Sequence, residues 1–339
     1  MNYRPSIAWQ PASLAASRTA VETVLNAINL APLRAGTLAI VGIGASYQAA
    51  LVGAADLRSR GRRAFAVHPS ELYDAKVDAA DAYIALSASG RSRETVEAMR
   101  LRPQAATYSI SKEADNPLAA TATSVIAMAS GADGSPNTTS YTASLQTLGL
   151  IADRIVVDDA GYEASAFWAA LPALIEKTLV AIRDPVAQAA ALLGGRSAID
   201  CVGTGAAFGT AGEASLLVRE AVRIPASPYD TLYFLHGPME SLDARTGLLV
   251  FGDGREVALA RDVAAFGCPT VLVTSRRDVA STDRLAVITV PRTGHANADA
   301  IIQILPAQLL VAELADAAGL TDIPFRYRQT DTKFEPKAA

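Results

Sequence analysis

The sequence is poor in the residues on which disulfide-rich, metal-binding and nucleic-acid-binding proteins depend. Cys201 and Cys268 are its only cysteines, which excludes a disulfide framework and a multi-cysteine zinc or iron–sulfur site. The net charge is −4 and no long basic run occurs, which argues against nucleic acid or an anionic membrane as the main partner. We therefore expect a small polar ligand, with no metal and no cofactor.

Long apolar runs are also missing. No stretch of about 18 or more uncharged apolar residues suggests a membrane span. Glu313 and Asp316 interrupt the alanine-rich segment 302–318, which is predicted to be a buried helix. The first residues, Met1 to Pro5, lack the apolar core of a signal peptide. We expect a cytoplasmic protein that does not bind a membrane.

Apolar residues nevertheless make up 50% of the 339-residue chain, which is longer than one typical domain. Short β-branched or apolar runs end in glycine or serine and alternate with amphipathic stretches. This alternation predicts an α/β fold with mainly parallel, doubly wound sheets. In the first half, strands are predicted near 37–41, 64–67, 82–86, 106–109 and 124–127, and helices at 45–59, 93–101 and 141–157.

The second half repeats the pattern of the first, which predicts a duplication. Segment 41–45 (VGIGA) is echoed by 202–206 (VGTGA), and segment 89–91 (SGR) is echoed by 253–255 (DGR) at nearly the same offset. The second copy lacks the serines of the first. In place of Ser46, Ser87, Ser89 and Ser92 it has Ala207, Phe251, Asp253 and Val257. We therefore expect one ligand site, in the first half.

The predicted organisation has five parts. Helical residues 159–195 are predicted to connect two α/β/α subdomains rather than to belong to either sheet. The parts are an N-terminal helical arm at 1–36, a phosphate-binding subdomain at 37–158, the connector at 159–195, a second subdomain at 196–322 and a C-terminal tail at 323–339.

The segment Ser87-Ala88-Ser89-Gly90-Arg91-Ser92 lies between a predicted strand and a predicted helix. Backbone N–H groups and hydroxyls would meet there at a helix N-terminus, where the partial positive charge favours a phosphate. Ser46 would lie at the same carboxyl edge of the sheet. A third hydroxyl cluster, at a further helix start, consists of Thr138, Thr139 and Ser140. Arg91 could reinforce anion binding or point outward.

Helix capping is the alternative role for each of these hydroxyls, because serine and threonine are common N-cap residues. Three clusters at three strand-to-helix junctions favour phosphate binding. The segment Gly42-Ile43-Gly44 also suggests a dinucleotide loop, but Ser46-Tyr47 stands where the third glycine should fall, and no ribose-binding acid is evident at the end of the next strand. Nicotinamide binding is therefore rejected.

Three motifs are shared with a known family: Gly44-Ala45-Ser46-Tyr47, Leu86–Thr95 and Leu235-His236-Gly237-Pro238. They resemble the sugar isomerase (SIS) domain family, and in particular the isomerase half of glucosamine-6-phosphate synthase. The resemblance implies two tandem SIS-type subdomains and a homodimer with shared active sites. Met1 is followed by Asn2 rather than by the nucleophilic cysteine of the synthase's glutaminase domain. Glutamine-dependent amide transfer is therefore not expected.

The resemblance also implies which residues contact a phosphorylated sugar. The expected phosphate ligands are Ser46, Ser87, Ser89, Ser92, Thr138, Thr139 and Ser140. Further expected contacts are Gly44, Ala45 and Arg91.

Three residues acquire catalytic roles from the resemblance. Glu220 matches the glutamate that moves a proton between C1 and C2, and His236 matches the histidine that assists ring opening across a dimer interface. The tail is expected to reach the active site, and its Lys333 is the candidate for the family's imine-forming lysine. One position departs from the synthase, because Leu217 stands where that enzyme has a helix lysine.

The residue chemistry agrees with these roles. Glu220 lies on a helix predicted at 212–222 whose apolar residues indicate burial, and burial disfavours a charged carboxylate and suits it to act as a base. An ion pair with Arg219 or Arg223 is the alternative. His236 precedes a Gly-Pro turn that would leave the imidazole accessible for proton transfer near neutral pH.

The other two histidines have weaker claims to a catalytic role. His68 is expected to cap the helix through Glu71, and His295 is expected at the surface.

The leading hypothesis is therefore an enzyme that isomerises a hexose or amino-hexose phosphate between aldose and ketose, with deamination of an amino-sugar phosphate as a variant. Two alternatives stay open: a non-catalytic phosphosugar sensor and a deglycase acting on a phosphorylated fructosamine. The motifs do not identify the sugar, because pocket shape sets that choice.

Overall fold

The computed structural model describes residues 1–156, 161–320, 323, 325–327 and 329–335, with the side chains of 161–164 left out of the description. These residues form two compact units, which we call unit 1 and unit 2. Unit 1 consists of Met1–Ala8, Gly134–Thr138 and Ala173–Pro324, and unit 2 consists of Trp9–Asp133, Thr139–Pro172 and Phe325–Ala339.

Each unit contains one five-stranded sheet in which every neighbouring pair of strands is parallel. The strands are β1 (Thr37–Val41), β2 (Arg63–Val67), β3 (Ala82–Leu86), β4 (Ala106–Ser111), β5 (Ser124–Ala127), β6 (Ile199–Gly203), β7 (Ala226–Asp230), β8 (Gly247–Phe251), β9 (Thr270–Thr274) and β10 (Leu285–Thr289). The helices are α1 (Tyr3–Ala27), α2 (Ala31–Arg34), α3 (Ala45–Ser59), α4 (Arg93–Arg100), α5 (Thr139–Val156), α6 (Gly161–Ala181), α7 (Arg183–Leu193), α8 (Ala206–Leu217), α9 (Thr231–Phe234), α10 (Arg255–Ala265) and α11 (Ala296–Ala317).

The two sheets have the same strand order. The first sheet runs β2-β1-β3-β4-β5, and the second runs β7-β6-β8-β9-β10 in the same sense. This identity confirms the predicted duplication and the predicted α/β class. In both sheets the order reverses beside the first strand of the unit, between β1 and β3 and between β6 and β8, and ligands of open α/β sheets bind at such a point.

Burial explains why the central strands were recognisable. All five residues of β3, β8 and β9 are buried, as expected of parallel strands that are covered on both faces. In unit 2, α3 packs against β2 and α5, and in unit 1, α8 packs against β6 and β7. Helix and sheet therefore alternate in layers within each unit.

Helix α11 is long and apolar enough to span a membrane by length and composition, but 78% of its most apolar 18-residue window is buried. It packs against α7 and α8 in unit 1. This arrangement matches the buried helix that the sequence predicted over 302–318.

The structure corrects two expectations. The connector is divided rather than independent, because α7 packs against β10 and α11 and is part of unit 1. The helix predicted at 212–222 begins earlier, at Ala206, and ends at Leu217, where a π-helical turn over Val218–Val222 replaces it. The run of small residues that opens α8 concealed its start.

Gly42 and Gly203 lie at corresponding positions in the two copies, so their substitution tests the duplication. A Cβ on Gly42 would lie 2.7 Å from the backbone carbonyl of Ser46, and one on Gly203 would lie 2.5 Å from the carbonyl oxygen of Ala207. We expect Gly42→Ala and Gly203→Ala each to lower the free energy of unfolding by about 1–3 kcal/mol, because backbone cannot yield as a side chain does. Urea denaturation followed by circular dichroism measures this.

The matched control is Gly195→Asn. Gly195 has a φ of +71° with no atom within 4 Å of its Cβ position, and asparagine tolerates this backbone region. Its cost should stay within about 0.5 kcal/mol. Equal stability of all three variants would contradict the close packing of these loops on their helices.

Candidate functional site

The carboxyl ends of β1 and β3 lie side by side, because Val41 pairs with Ala85 in the parallel register. The loop after β1 reaches α3 through Gly44, whose φ is +59°, and the loop after β3 reaches α4. The structure therefore places the predicted contacts Gly44, Ala45 and Ser46 at the same sheet edge as the predicted phosphate loop, Ser87–Ser92.

The loop Ser87–Ser92 is a tight turn held by its own hydroxyls. Ser87 is buried, and its Oγ accepts the backbone N–H of Ser92 at 3.4 Å and donates to Ser92 Oγ at 3.1 Å. The N–H of Gly90 donates to the Ser87 carbonyl at 2.9 Å, and the N–H of Arg91 donates to Ser89 Oγ at 3.3 Å. Ser89 is exposed at the rim. The turn thus presents hydroxyls at the N-terminus of α4, where an anion is favoured.

Asn116 supports this turn from below, a role the sequence did not suggest. A Cβ on Gly90, whose φ is +64°, would lie 2.0 Å from the Asn116 side chain. The Asn116 amide donates to Ser111 Oγ at 2.9 Å and to the Glu113 carbonyl at 2.7 Å, while its oxygen accepts the Ala119 N–H at 2.9 Å. This network fixes the surface on which Gly90 rests.

The C-terminal tail lies along the same loop. Lys333 forms an antiparallel bridge with Ser92, and the hydrogen bonds on either side join Arg93 N–H to the Thr332 carbonyl and Phe334 N–H to the Arg91 carbonyl. The Arg91 guanidinium donates to the Glu335 carbonyl at 2.9 Å. Arg91 was expected either to reinforce anion binding or to point outward, and its guanidinium instead binds the tail. The same pairing brings Lys333 to the phosphate loop.

Tyr47 and His68 form a further contact near Ser46. Their rings stack with centroids 3.6 Å apart. Burial, followed by the charge of Glu71, raises the pKa of Tyr47. His68 also begins the short helix Pro69–Leu72 in a capping box with Glu71, which confirms its expected capping role. Tyr47 was not singled out from the sequence, because the stacking partner comes from a different strand end.

The hydroxyl cluster at the start of α5 has partners of its own. Asp133 accepts the backbone N–H groups of Thr139 and Ser140, both at 3.0 Å, and also the Ser140 hydroxyl. Thr139 Oγ1 donates to the Ala132 carbonyl at 3.0 Å. Thr138 is fully buried. These contacts favour helix capping, the alternative considered for the cluster, and its predicted phosphate contact stays a prediction.

The corresponding edge of the second sheet contains a cavity of about 250 Å³. Asp253, Glu256 and Asp299 line it, together with Arg292. Burial raises the pKa of Asp253, but hydrogen bonds from Thr274 and Ser275 and the charge of Arg292 outweigh burial, so its pKa lies below the usual range. The low pKa of Asp253 keeps a negative charge on this wall, which disfavours phosphate and agrees with the prediction that binding belongs to the first half.

The strand registers refine the comparison of the two copies. Val41 pairs with Ala85 in the first sheet, and Val202 pairs with Val250 in the second. If Val41 corresponds to Val202, Ser87 then corresponds to Gly252 rather than to Phe251. The conclusion that the second copy lacks the serine hydroxyl is unchanged.

Glu220 and His236 both lie in unit 1. Glu220 is half-buried in the π-helical turn after α8, and such turns occur frequently at functional sites. Arg219, one of its two alternative ion-pair partners, donates its Nε to the Ala226 carbonyl at 2.5 Å. His236 is exposed on the loop after α9, before Gly237 with a φ of +139°. His295, expected at the surface, is half-buried at the N-terminus of α11.

The contacts of Ser140 lead to a direct test of its role. We expect Ser140→Ala to lower the free energy of unfolding by about 1–2 kcal/mol, because Asp133 loses a hydrogen bond. Calorimetric titration with a hexose phosphate should show affinity unchanged within about twofold, whereas Ser89→Ala should weaken it about tenfold. A tenfold loss in Ser140→Ala would instead assign this hydroxyl to the phosphate.

Comparison with known proteins agrees with the motifs. Residues 33–154 match the model of the SIS domain family. The glutamine–fructose-6-phosphate aminotransferase (isomerizing) of Pyrobaculum aerophilum is 28% identical over 320 residues, covering 89% of this chain and 52% of that protein. The Aeropyrum pernix protein of the same name is 29% identical over 310 residues, covering 84% and 49%. The chain spans about half the length of the curated relatives that it matches.

Solved structures share the fold over almost the whole chain. The C-terminal domain of glucosamine-fructose-6-phosphate aminotransferase from Francisella tularensis has a TM-score of 0.84 at 17% identity, covering 95% of this chain and 97% of that one. Tagatose-6-phosphate ketose/aldose isomerase from Escherichia coli has a TM-score of 0.75 at 18% identity, covering 97% of each chain. Glucosamine-6-phosphate deaminase from Thermotoga maritima has a TM-score of 0.71 at 18% identity, covering 94% and 96%.

At such identities the structural likeness shows a common fold and nothing further about activity. The motifs, the family match and the fold agree with one another. The resemblance seen in the sequence is therefore confirmed: the chain contains a SIS domain at residues 33–154, within a duplicated α/β fold of the SIS type.

Proposed function

We propose that this protein binds a phosphorylated sugar through the loop Ser87–Ser92 and isomerises it between aldose and ketose. The substrate class is a hexose or amino-hexose phosphate. The observation that supports this most strongly is the preformed turn at the N-terminus of α4, in which Ser87, Ser89 and Ser92 converge. Neutral hydroxyls and a helix N-terminus bind a phosphate without a neighbouring cation having to be buried.

The phosphate in this proposal is a handle rather than the reacting group. Holding it fixes the sugar, so that the reactive carbons keep a defined position during proton transfer. Binding energy from a remote, unreacting group is available to orient the reacting part of a substrate. The rigid support of Gly90 by Asn116 favours this use, because a loose handle would not orient the sugar.

Glu220 is the base in this proposal. Its carboxylate removes a proton from C1 of the ketose phosphate, an enediolate forms, and the proton returns to C2 to give the aldose. His236 moves a proton to or from the ring oxygen when the cyclic sugar opens. Lys333 forms a transient imine with the open-chain carbonyl: its Nζ adds to the carbonyl carbon, and the carbonyl oxygen leaves as water. Water then hydrolyses this imine, which frees the Lys333 amine and restores the carbonyl before the proton transfer.

An amino-sugar phosphate would undergo the same kind of proton transfer in the opposite direction. Proton transfer from C2 to C1 converts the amine into an imine, and water then hydrolyses the imine to release ammonia. Two of the similar structures are a ketose/aldose isomerase and a glucosamine-6-phosphate deaminase, which supports keeping both reactions within the proposal. Analysis of the reaction products distinguishes the two reactions.

The proposal includes a homodimer in which His236 of one subunit serves the site of the other. The exposed position of His236, beside the exposed Leu232 and Tyr233, supports an interface at this loop. Exposed aromatic and aliphatic side chains of this kind are common in protein interfaces.

The role of Glu220 is tested by Glu220→Gln, which keeps the shape but removes the base. We expect turnover to fall roughly hundredfold or more, while the dissociation constant for fructose 6-phosphate changes little. The measurement is the exchange of substrate hydrogen with deuterated solvent at C1 or C2, followed by nuclear magnetic resonance. This readout needs no knowledge of the final product.

The same exchange experiment separates enzyme from sensor. Wild-type protein that binds hexose and amino-hexose phosphates but exchanges no hydrogen with any of them would contradict catalysis and leave the sensor. Undiminished exchange in Glu220→Gln would remove Glu220 as the base. Glu176→Gln, a change at an exposed glutamate of α6 outside the proposed site, is the matched control and should exchange at the wild-type rate.

Site sharing is tested by mixing two inactive variants. Glu220→Gln and His236→Ala subunits should recover activity after subunit exchange, because a hybrid dimer with shared sites regains one complete site. Mass spectrometry of the intact dimers confirms that exchange has occurred. Hybrid dimers without recovered activity would contradict sharing.

A further inference from the structure

The last described residues, 332–335, pair with the phosphate loop through one isolated β-bridge, and we call this segment the tail strand. It runs antiparallel to Arg91–Arg93, where the phosphate loop enters α4. Arg93 N–H donates to the Thr332 carbonyl at 3.0 Å, and Phe334 N–H donates to the Arg91 carbonyl at 2.9 Å. With the bond from the Arg91 guanidinium to Glu335, the tail strand is attached to the loop at three points.

Phe334 is the side chain that fixes the tail strand to unit 2. Its ring lies under two guanidinium groups, with Arg93 at 4.5 Å and Arg100 at 5.0 Å from the ring centroid. It also packs against the buried cluster that includes Val96 and Met99 on α4. Arginine over an aromatic face is attractive, and partial burial adds to this.

The other aromatic residues of the tail lack such a setting. Phe325 is 50% exposed and Tyr327 is 83% exposed, whereas Phe334 is half-buried. Among the aromatic residues that the structure describes in the tail, Phe334 is therefore the one that packs against a buried cluster, and it is one residue away from Lys333.

Successive side chains of a strand point to opposite faces. Phe334 faces α4 and the core, and Lys333 is exposed on the other side, opposite Ser92. Anchoring the ring thus presents the lysine at the lip of the loop, with its direction set by the strand pairing.

We propose that Phe334 is a positioning residue: by locking the tail strand onto the Arg93–Arg100 face of α4, it holds Lys333 at the phosphate loop in reach of a bound sugar phosphate. The proposal rests on the function proposed above, because it gives Lys333 a substrate to act on. Phe334 itself contacts no substrate. Without it, the two backbone hydrogen bonds and the bond from the Arg91 guanidinium alone hold the tail strand, and Lys333 spends most of its time elsewhere.

The anchor is tested on the full-length protein by hydrogen–deuterium exchange of the tail peptide. Phe334→Ala should speed exchange at the tail strand by about tenfold, the loss expected from truncating a half-buried aromatic ring. Phe334→Trp keeps a π face for both arginines and should restore slow exchange. Tyr327→Ala, the matched control on the same tail, should leave the exchange rate of the tail strand unchanged.

The consequence for catalysis is tested with the same variants. In Phe334→Ala, kcat should fall about tenfold while KM changes less, because the phosphate ligands are intact and only the lysine is misplaced. Borohydride reduction with fructose 6-phosphate, followed by peptide mass spectrometry, should give about tenfold less adduct on Lys333 than in wild type. Phe334→Trp should recover both readouts.

Each of these results tests a different part of the proposal. Slow tail exchange in Phe334→Ala, equal to wild type, overturns the anchor. Fast exchange with undiminished kcat and adduct overturns the positioning role. A wild-type protein with a protected tail but neither turnover nor adduct refutes the proposed function of Lys333 and the positioning role with it, while the exchange data still establish the anchor.

Discussion

The N-terminus of α4 is the feature on which the site depends. A parallel sheet brings the ends of β1 and β3 together, and the chain has only the short loop Ser87–Ser92 in which to turn from buried strand to helix. The first N–H groups of a helix have no partner within it, so they must bind something else. Here the tail strand takes the N–H of Arg93, Ser87 takes that of Ser92, and Ser89 is exposed.

The duplication gave two copies of one scaffold, and the two copies differ in charge at their switch points. Both sheets have the same order and therefore the same switch point. The first switch point is bordered by neutral hydroxyls. The second is bordered by carboxylates, and the hydrogen bonds from Thr274 and Ser275 keep Asp253 ionised by lowering its pKa. One fold can thus offer an anion site in one copy and exclude anions from the other.

The features that were predicted correctly are those that short stretches of sequence determine. The first-half strands were placed within a residue or two, because β1 and β3 are largely apolar runs, and the serine loop was recognised from composition and position. The π-helical turn at Glu220, the stacking of Tyr47 on His68 and the support of Gly90 by Asn116 were not predicted. The last two join residues more than twenty positions apart in sequence, and no short pattern encodes such contacts. The tail was predicted to reach the site. Its attachment through Phe334 was not predicted, because the sequence does not show which face of α4 is left uncovered.

The central claim is that the Ser87–Ser92 loop holds the phosphate of a sugar phosphate. A crystal structure of the protein with fructose 6-phosphate tests it directly. The account predicts phosphate oxygens within hydrogen-bond distance, about 2.5–3.2 Å, of Ser89 Oγ and Ser92 Oγ. A sugar phosphate bound in the acidic crevice beside Asp253, with the serine loop empty, would contradict it.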